Sequence, residues 1–539
     1  MKNNRTELSQ RVRYALLAGM AGAFLIPQVA FAAPTGGEAV FGGATGLTTS
    51  SDMNITSSNL NNVITWQDYS IANGERVRYD SGAKTNNYLN IVTGANTSNI
   101  NGKIEGGKNV YIVNPNGVMF GKTAEVNVGN LYVSTQERAT LNEANFTGSG
   151  ASPLVDTAAL KADVVNMGKI TADTVEVHGS HIRFLNAANV TTNGTTPSPV
   201  KTYTAPVNPS DPDSGYAHIG YRGTGVPTNY EVNGNPATEQ AHYYRLVGND
   251  TEFSKIKDDR TKNYMLENNI DFSGGALTPI AGTGAAFTGN IDGNFFEIQN
   301  FTITGGTYAA PFGRVDGSRI ENIGVRGATI TGEKTGLQDR WAGGIVGYVT
   351  GATIKNVYAS ATQVDGEDGQ HGGIAGQTMN TKFDSVYSKV RIGEGGAVIG
   401  TSSSGTVISN AYSDSSKISG TTGTDFIYFI NPNNGTTVRD VYVTGDNPRL
   451  ATNQSGLNIS IATNTYIVEK STGMVTKFKE TGTIPSRPKT ASSSYAGFSI
   501  NNDGAPGAKW RIYEGRTTPM LTAFMGVSSE ATYNYRYFK

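Results

Sequence analysis

The stretch "NVYIVNPNGVMFGK", residues 109–122, decides how this chain is read. Val110 to Val113 form one β-branched apolar run and Val118 to Phe120 another, with Asn114-Pro115-Asn116-Gly117 between them. Pro115 suits the second position of a type I turn and Gly117 the fourth, and the Asn114 side chain can bond its own backbone two residues on. The tetrapeptide therefore reads as a corner between two short strands. Similar runs recur on both sides, at Val63–Trp66, Leu89–Val92, Val126–Val128 and Val175–Val177, each bounded by Gly, Asn, Asp or Thr. Ile91, Ile112 and Val133 sit inside such runs at a spacing of 21 residues. "INGKIEGGKNVYI" (100–112) also matches "VNMGKITADTVEV" (165–177), an offset close to three such steps. Recurrence of this length predicts a parallel β-solenoid, in which each coil buries its apolar residues on the coils above and below. An antiparallel sandwich would show turn signals every ~8–12 residues but no longer register.

Composition agrees. Gly is 67 of 539 residues and charged residues are only 16%, against a typical ~7% and ~25%. Ser, Thr, Asn and Gly are weak helix formers, so a helical enzyme is disfavoured. The formal net charge is −1 and the pI about 6.6; with no basic excess to neutralise phosphates, nucleic-acid binding is disfavoured. There is no cysteine, hence no disulfide framework. Lys2, Arg5, Arg11 and Arg13, the apolar run Tyr14–Ile26 and the small-x-small site Ala30-Phe31-Ala32 mark residues 1–32 as a signal peptide cleaved after Ala32. No later stretch has 18 apolar residues, so no stable membrane span is expected after it.

The chain is expected to divide into a β-helix domain at 33–190, a Pro/Thr/Ser-rich linker or insertion at 191–240, a repeat solenoid at 241–450 and a β-rich segment at 451–539. "YRLVGNDTEFSKI" (244–256) is the best amphipathic helix, with Asp250 or Thr251 as cap. Four copies then align on Gly313, Gly347, Gly376 and Gly400, at steps of 34, 29 and 24 residues. An apolar residue follows ten or eleven positions on, then Tyr358, Tyr387 and Tyr412 in three of the four; "VRDVY" (438–442) fits as a fifth. Uneven steps around fixed cores place loops of varying length on one side of a solenoid. The tyrosines read either as a ladder, one per coil, or as an aromatic stripe for carbohydrate stacking.

Signals for chemistry are sparse. His178 and His181 sit three apart, on opposite faces of a strand, and share a metal only across a bend. Asp365, Glu367 and Asp368 offer oxygens but lack calcium-loop spacing. Asp292-Gly293 reads as a turn. No catalytic residue, cofactor motif or metal set is assigned.

Residues 64–135, with "ITWQDYSIANGERVRYD" and then "YLNIVTGANTSNINGKIEGGKNVYIVNPNGVMFGKTAEVNVGNLYVSTQ", resemble the secretion domain of the filamentous haemagglutinin family, the exported partners of two-partner secretion systems. The resemblance implies a right-handed parallel β-helix and export through an outer-membrane transporter barrel with periplasmic docking domains. It also places Asn114, Pro115, Asn116 and Gly117 in the part the exporter needs. The Asn-Pro-Asn-Leu motif found upstream in many members is absent. Residues 312–412 and their flanks resemble GLUG-type repeats of bacterial surface and adhesin-like proteins. Together these imply an all-β, adhesin-like exoprotein, secreted from or displayed on a two-membrane bacterium, with a host-cell or glycan receptor. The alternative is a secreted carbohydrate-active enzyme, a polysaccharide lyase or glycoside hydrolase, on the same scaffold.

Overall fold

In the computed structural model, residues 33–418 are described apart from 157, 194–197, 207–214, 333–339, 367–369, 394 and 404; beyond 418, separate stretches between 427 and 521 are described. Strands dominate and nearly all pair in parallel with the coil before and the coil after, making an all-β parallel solenoid. It divides into two compact units, one to residue 158 with 168–174, the other 159–167 with 175 onward.

In the first unit, Asn61–Trp66, Asn87–Val92, Asn109–Val113 and Asn130–Ser134 stack in parallel. A second face stacks Asp52–Ile55, Arg76–Tyr79, Lys103–Glu105, Glu125–Asn127 and Lys169–Ala172. Ser98–Ile100 and Val118–Phe120 pair on a third. Each coil thus uses three short strands with corners between them. Ile112 faces Val133 as its spacing predicts, but Ile91 faces Val113, because the step from Asn87 to Asn109 is 22 residues and that from Asn109 to Asn130 is 21. Lys103 and Lys169 are two coils apart, not three: both pair with Glu125. The second of those coils carries an insertion with a short helix, Glu143–Ser149, capped by the Asn142 side chain and stopped by Gly150 in the left-handed region (φ 74°). Phe146 of that helix packs edge-on against Tyr111, in a cluster with Val63, Leu89, Ile91 and Val113. Asn87–Val92 is therefore buried along its whole length, which explains why these strands read as continuous apolar runs rather than clean alternation. The strand Glu38–Phe41 closes the sheet antiparallel to Asn61–Trp66.

In the second unit, Val164–Asn166, His181–Phe184, Tyr216–Tyr221, Tyr243–Val247, Tyr264–Leu266 and Ile291–Asp292 pair in turn, leading into Arg319–Arg326, Thr353–Gly366, Lys382–Ile392, Val407–Lys417 and Thr437–Gly445. Within the linker or insertion expected at 191–240, described residues form strands of the stack: Val200–Thr204 pairs with residues 176–179, and Tyr216–Tyr221 pairs with His181–Phe184. Val, Thr and Tyr at 200–204 alternate buried and half-buried, the strand pattern that the surrounding Pro and Ser residues mask. The helix expected at 244–256 is also corrected. Tyr243–Val247 is a strand; Asp250–Ser254 is α-helical, capped by Asn249, whose side chain accepts the Glu252 N–H, and Lys255–Asp258 continues it as a 3-10 helix. Near the end of the chain, Trp510–Arg511 and Met520–Leu521 form an antiparallel pair. No helix among the described residues is long and apolar enough to cross a membrane.

Candidate functional site

The corner at 114–117 forms as its chemistry predicts. The Gly117 N–H donates to the Asn114 carbonyl (3.0 Å), the Asn116 N–H donates to Asn114 Oδ1 (2.9 Å), and Gly117 takes φ 106°. The side chains then do more than turn the chain. Asn114 is fully buried, and its Nδ2 donates to the Asn96 carbonyl and to Ser98 Oγ, both at 2.9 Å, on the preceding coil. Its backbone N–H donates to the Ser134 carbonyl (2.9 Å) on the following coil. Asn116 Nδ2 donates to the Gly94 carbonyl (2.9 Å), while Thr97 Oγ1 donates to the Asn116 carbonyl (2.8 Å). One tetrapeptide thus staples three consecutive coils. An Asn ladder at Asn61, Asn87, Asn109 and Asn130 repeats the device along the sheet, with Asn87 Nδ2 donating to Asn61 and Asn130 Nδ2 to Asn109, each at 2.7 Å.

The repeat residues stack in register. Gly313, Gly347, Gly376 and Gly400 form one column. A Cβ on Gly347, Gly376 or Gly400 would lie 2.5–2.7 Å from the carbonyl oxygen of the glycine one coil earlier, which no side chain tolerates without a shift. Tyr358, Tyr387, Tyr412 and Tyr442 form a second column and are buried, packed with Tyr495, Phe498, Trp510, Ile512 and Leu521. They are a ladder, and they are closed to a carbohydrate. The first copy has Gly324 in place of Tyr because the Tyr358 ring lies over it and fills the space a Cβ would need. A third column was legible but missed: Asn322, Asn356, Ser385, Asn410 and Asp440 all take φ between 50° and 59° at the same corner. Asn and Asp tolerate that left-handed conformation better than other non-glycine residues.

The strongest electrostatic constellation has no sequence signal at all. Asp292 Oδ2 accepts from Arg183 Nε (3.1 Å) and His218 Nδ1 (2.8 Å), and Oδ1 accepts from the Asn294 N–H (2.8 Å) and Asn322 Nδ2 (3.0 Å). The Tyr244 hydroxyl donates to His218 Nε2 (2.9 Å), and Glu321 pairs with Arg319 (3.0 Å). Arg183 lies between the rings of Tyr216 and Phe295. Arg183, His218, Asp292 and Glu321 are all buried. Burial pushes the Asp292 carboxyl up, but the Arg183 charge and the His218 and Asn322 bonds outweigh it and hold it below the usual carboxylate range. Burial pushes His218 below the usual imidazole value, and the Asp292 bond only partly offsets this. A carboxylate only accepts, so the neutral imidazole carries its proton on Nδ1 and receives the tyrosine on Nε2. One ligand atom each from His218, Asp292 and Glu321 lies within 4.8 Å of the others. A cation there would have to displace Arg183 and the Nδ1 proton, and two arginines already balance the two carboxylates. The cluster is better suited to locking strands together than to holding a metal. Asp292 is thus both the turn residue that its Gly neighbour suggests and the centre of this lock.

The other marked residues stay apart. His178 Nε2 meets Glu176 (2.9 Å) and stacks on Tyr203, whereas His181 Nδ1 meets Asp163 (2.7 Å), so the two histidines share no site. Asp365 Oδ1 accepts its neighbouring Gly366 N–H. Glu367 and Asp368, the cleavage site Ala30 and Ala32, and the similar stretch "NPNNG" at 431–435 lie outside the described residues.

The TPS secretion domain family matches residues 32–201, a span that includes the stapled corner. Residues 32–201 are a TPS secretion domain. The GLUG motif matches residues 342–364, inside the stacked repeats. The TPS domain makes the chain a secreted protein of Gram-negative bacteria. A heme/hemopexin-binding protein of Haemophilus influenzae is 32% identical over 166 residues, 30% of this chain and 18% of that protein. A second protein of that name and organism is 31% identical over 96 residues, 18% of this chain and 10% of that one. The chain thus spans less than a fifth of the length of these curated relatives. The crystal structure of the HMW1 secretion domain from Haemophilus influenzae is similar at 14% identity and a TM-score of 0.27, covering 81% of this chain and all of that one.

Proposed function

We propose that this chain is the exported partner of a two-partner secretion system and that its repeat solenoid serves adhesion or aggregation. In this reading, residues 33–190 pass to an outer-membrane transporter barrel with periplasmic docking domains, and residues 241–450 form the passenger. The observation that carries it is the corner at Asn114–Gly117, where both asparagine side chains are committed to neighbouring coils inside the TPS domain. A plain turn needs neither amide. The corner therefore couples the first coils so that they form together once the chain emerges, and each added coil buries apolar area that favours outward movement. The ligands of the relatives do not carry over, because the match covers less than a fifth of their length. Secretion is the test: Asn114→Ala with Asn116→Ala should cut the amount of chain in the medium several-fold more than the same changes at Asn431 and Asn433. Equal loss at both sites would reduce 114–117 to a structural turn.

A further inference from the structure

Tyr308, Trp341 and Tyr348 are partly exposed and touch one another: Tyr308 and Trp341 stack at 5.3 Å between centroids, and Tyr348 stands at about 60° to both, 5.4 Å from Trp341 and 6.1 Å from Tyr308. The other two tryptophans of the chain, Trp66 and Trp510, are fully buried. Two features separate this trio from the tyrosine ladder. The ladder runs on from coil to coil under cover, whereas in this column Tyr348 is followed by Gln377 and Thr401 and preceded by Arg314. The aromatic patch is two coils tall and then stops, so the coils do not need it to stack. Around it, the buried atoms Trp341 Nε1, Arg314 Nε and Gln377 Oε1 have no hydrogen-bond partner among the described residues. Arg314 and Gln377 flank Tyr348 on the neighbouring coils, and their half-buried side chains bring donors and an acceptor to the edge of the rings. Arg314 and the exposed Asp316 alternate onto the same face, leaving it close to neutral.

We infer that Tyr308, Trp341 and Tyr348, framed by Arg314 and Gln377, form a binding platform for a neutral pyranose oligosaccharide. The aromatic corner takes the apolar C–H face of a sugar ring, and the half-exposed Arg314 and Gln377 side chains beside Tyr348 take its hydroxyls. A β-1,4-linked ribbon, extended and flat, matches a surface built of stacked strands. This deepens the adhesive reading above and rests on it for its biological role.

The secreted full chain is titrated with cellohexaose and chitohexaose, following tryptophan fluorescence and calorimetric heat. At least one oligomer should bind and shift the emission, because Trp341 is the tryptophan within reach. Trp341→Ala and Tyr348→Ala should each weaken binding about tenfold or more, while Trp341→Phe removes the optical signal and keeps most of the heat. Gln377→Ala, a change to a partly exposed side chain, gives a smaller loss if the ring variants fail to fold. Absence of heat with both oligomers, or wild-type binding by Trp341→Ala and Tyr348→Ala, overturns the platform. Self-association of the chain that these variants abolish, with no sugar binding, overturns it in favour of a contact between copies. Cell adhesion measured in parallel keeps the two readings apart: adhesion without oligosaccharide binding removes the platform alone, and binding without adhesion supports the platform while removing the adhesive role.

Discussion

The TPS domain and the repeat solenoid stack their coils by different means. In the first, corners are held by side-chain amides: Asn114 and Asn116 reach the coil before, and Asn61, Asn87, Asn109 and Asn130 bond along the sheet. In the second, corners are set by backbone conformation, through left-handed residues from Asn322 to Asp440, and coils approach closely through the Gly313–Gly400 column. Identity therefore matters where an amide bonds another coil, and conformation matters where the chain only has to bend. The second unit adds a third device, the buried Arg183–His218–Asp292 lock.

The largest effect should come from the lock. Asp292→Asn removes the carboxylate that Arg183 bonds most closely, leaving the buried arginine the more distant Asp163 (3.7 Å) and Glu321, and should cost about 3–5 kcal/mol in denaturant unfolding of the secreted chain. Its pH signature is specific. Folding lowers the proton affinity of both His218 and Asp292, so the unfolded chain binds more protons than the folded one. The contribution is complete above about pH 6.5, begins to fall as His218 can protonate on unfolding, and falls again below about pH 4 with Asp292. Asp292→Asn should remove the lower step; an unchanged acid profile would show that the lock contributes no pH dependence.

A smaller effect tests the first contrast. Asn114→Ala strands the Asn116 N–H and the Asn96 carbonyl and should cost about 1–3 kcal/mol in the same measurement. The smallest tests the second: Asn356→Gly keeps the left-handed corner at the cost of one bond to Asn322 Oδ1, and should stay within about 0.5 kcal/mol of wild type. If Asn356→Gly proved as damaging as Asn114→Ala, the distinction between amide-held and conformation-held corners would collapse.

How much of this was legible depended on the distance over which each residue acts. The Asn114 corner, the coil step near Ile112 and the glycine and tyrosine columns are local or periodic, and they follow from turn chemistry and spacing. The left-handed column is equally periodic, visible in Asn322, Asn356, Ser385, Asn410 and Asp440, but it lies beside apolar and Tyr positions whose pattern is louder. The strands at 200–204 and 243–247 were obscured by local composition, where Pro and Ser neighbours or an accidental helical spacing outvoted the β-branched and aromatic residues that the stack recruits. Arg183 and Asp292, 109 residues apart, meet only because intervening strands bring them together. No pattern in a single sequence announces that meeting, and Trp341 beside Tyr308 is hidden for the same reason.

The repeat steps of 34, 29 and 24 residues join columns that never lose register. The stacked strands keep their partners whatever the step, so the coil tolerates added sequence as a bookshelf tolerates books of unequal depth, flush at the spine. A lineage can therefore insert or delete residues between the strands of this protein while the columns hold each coil in place.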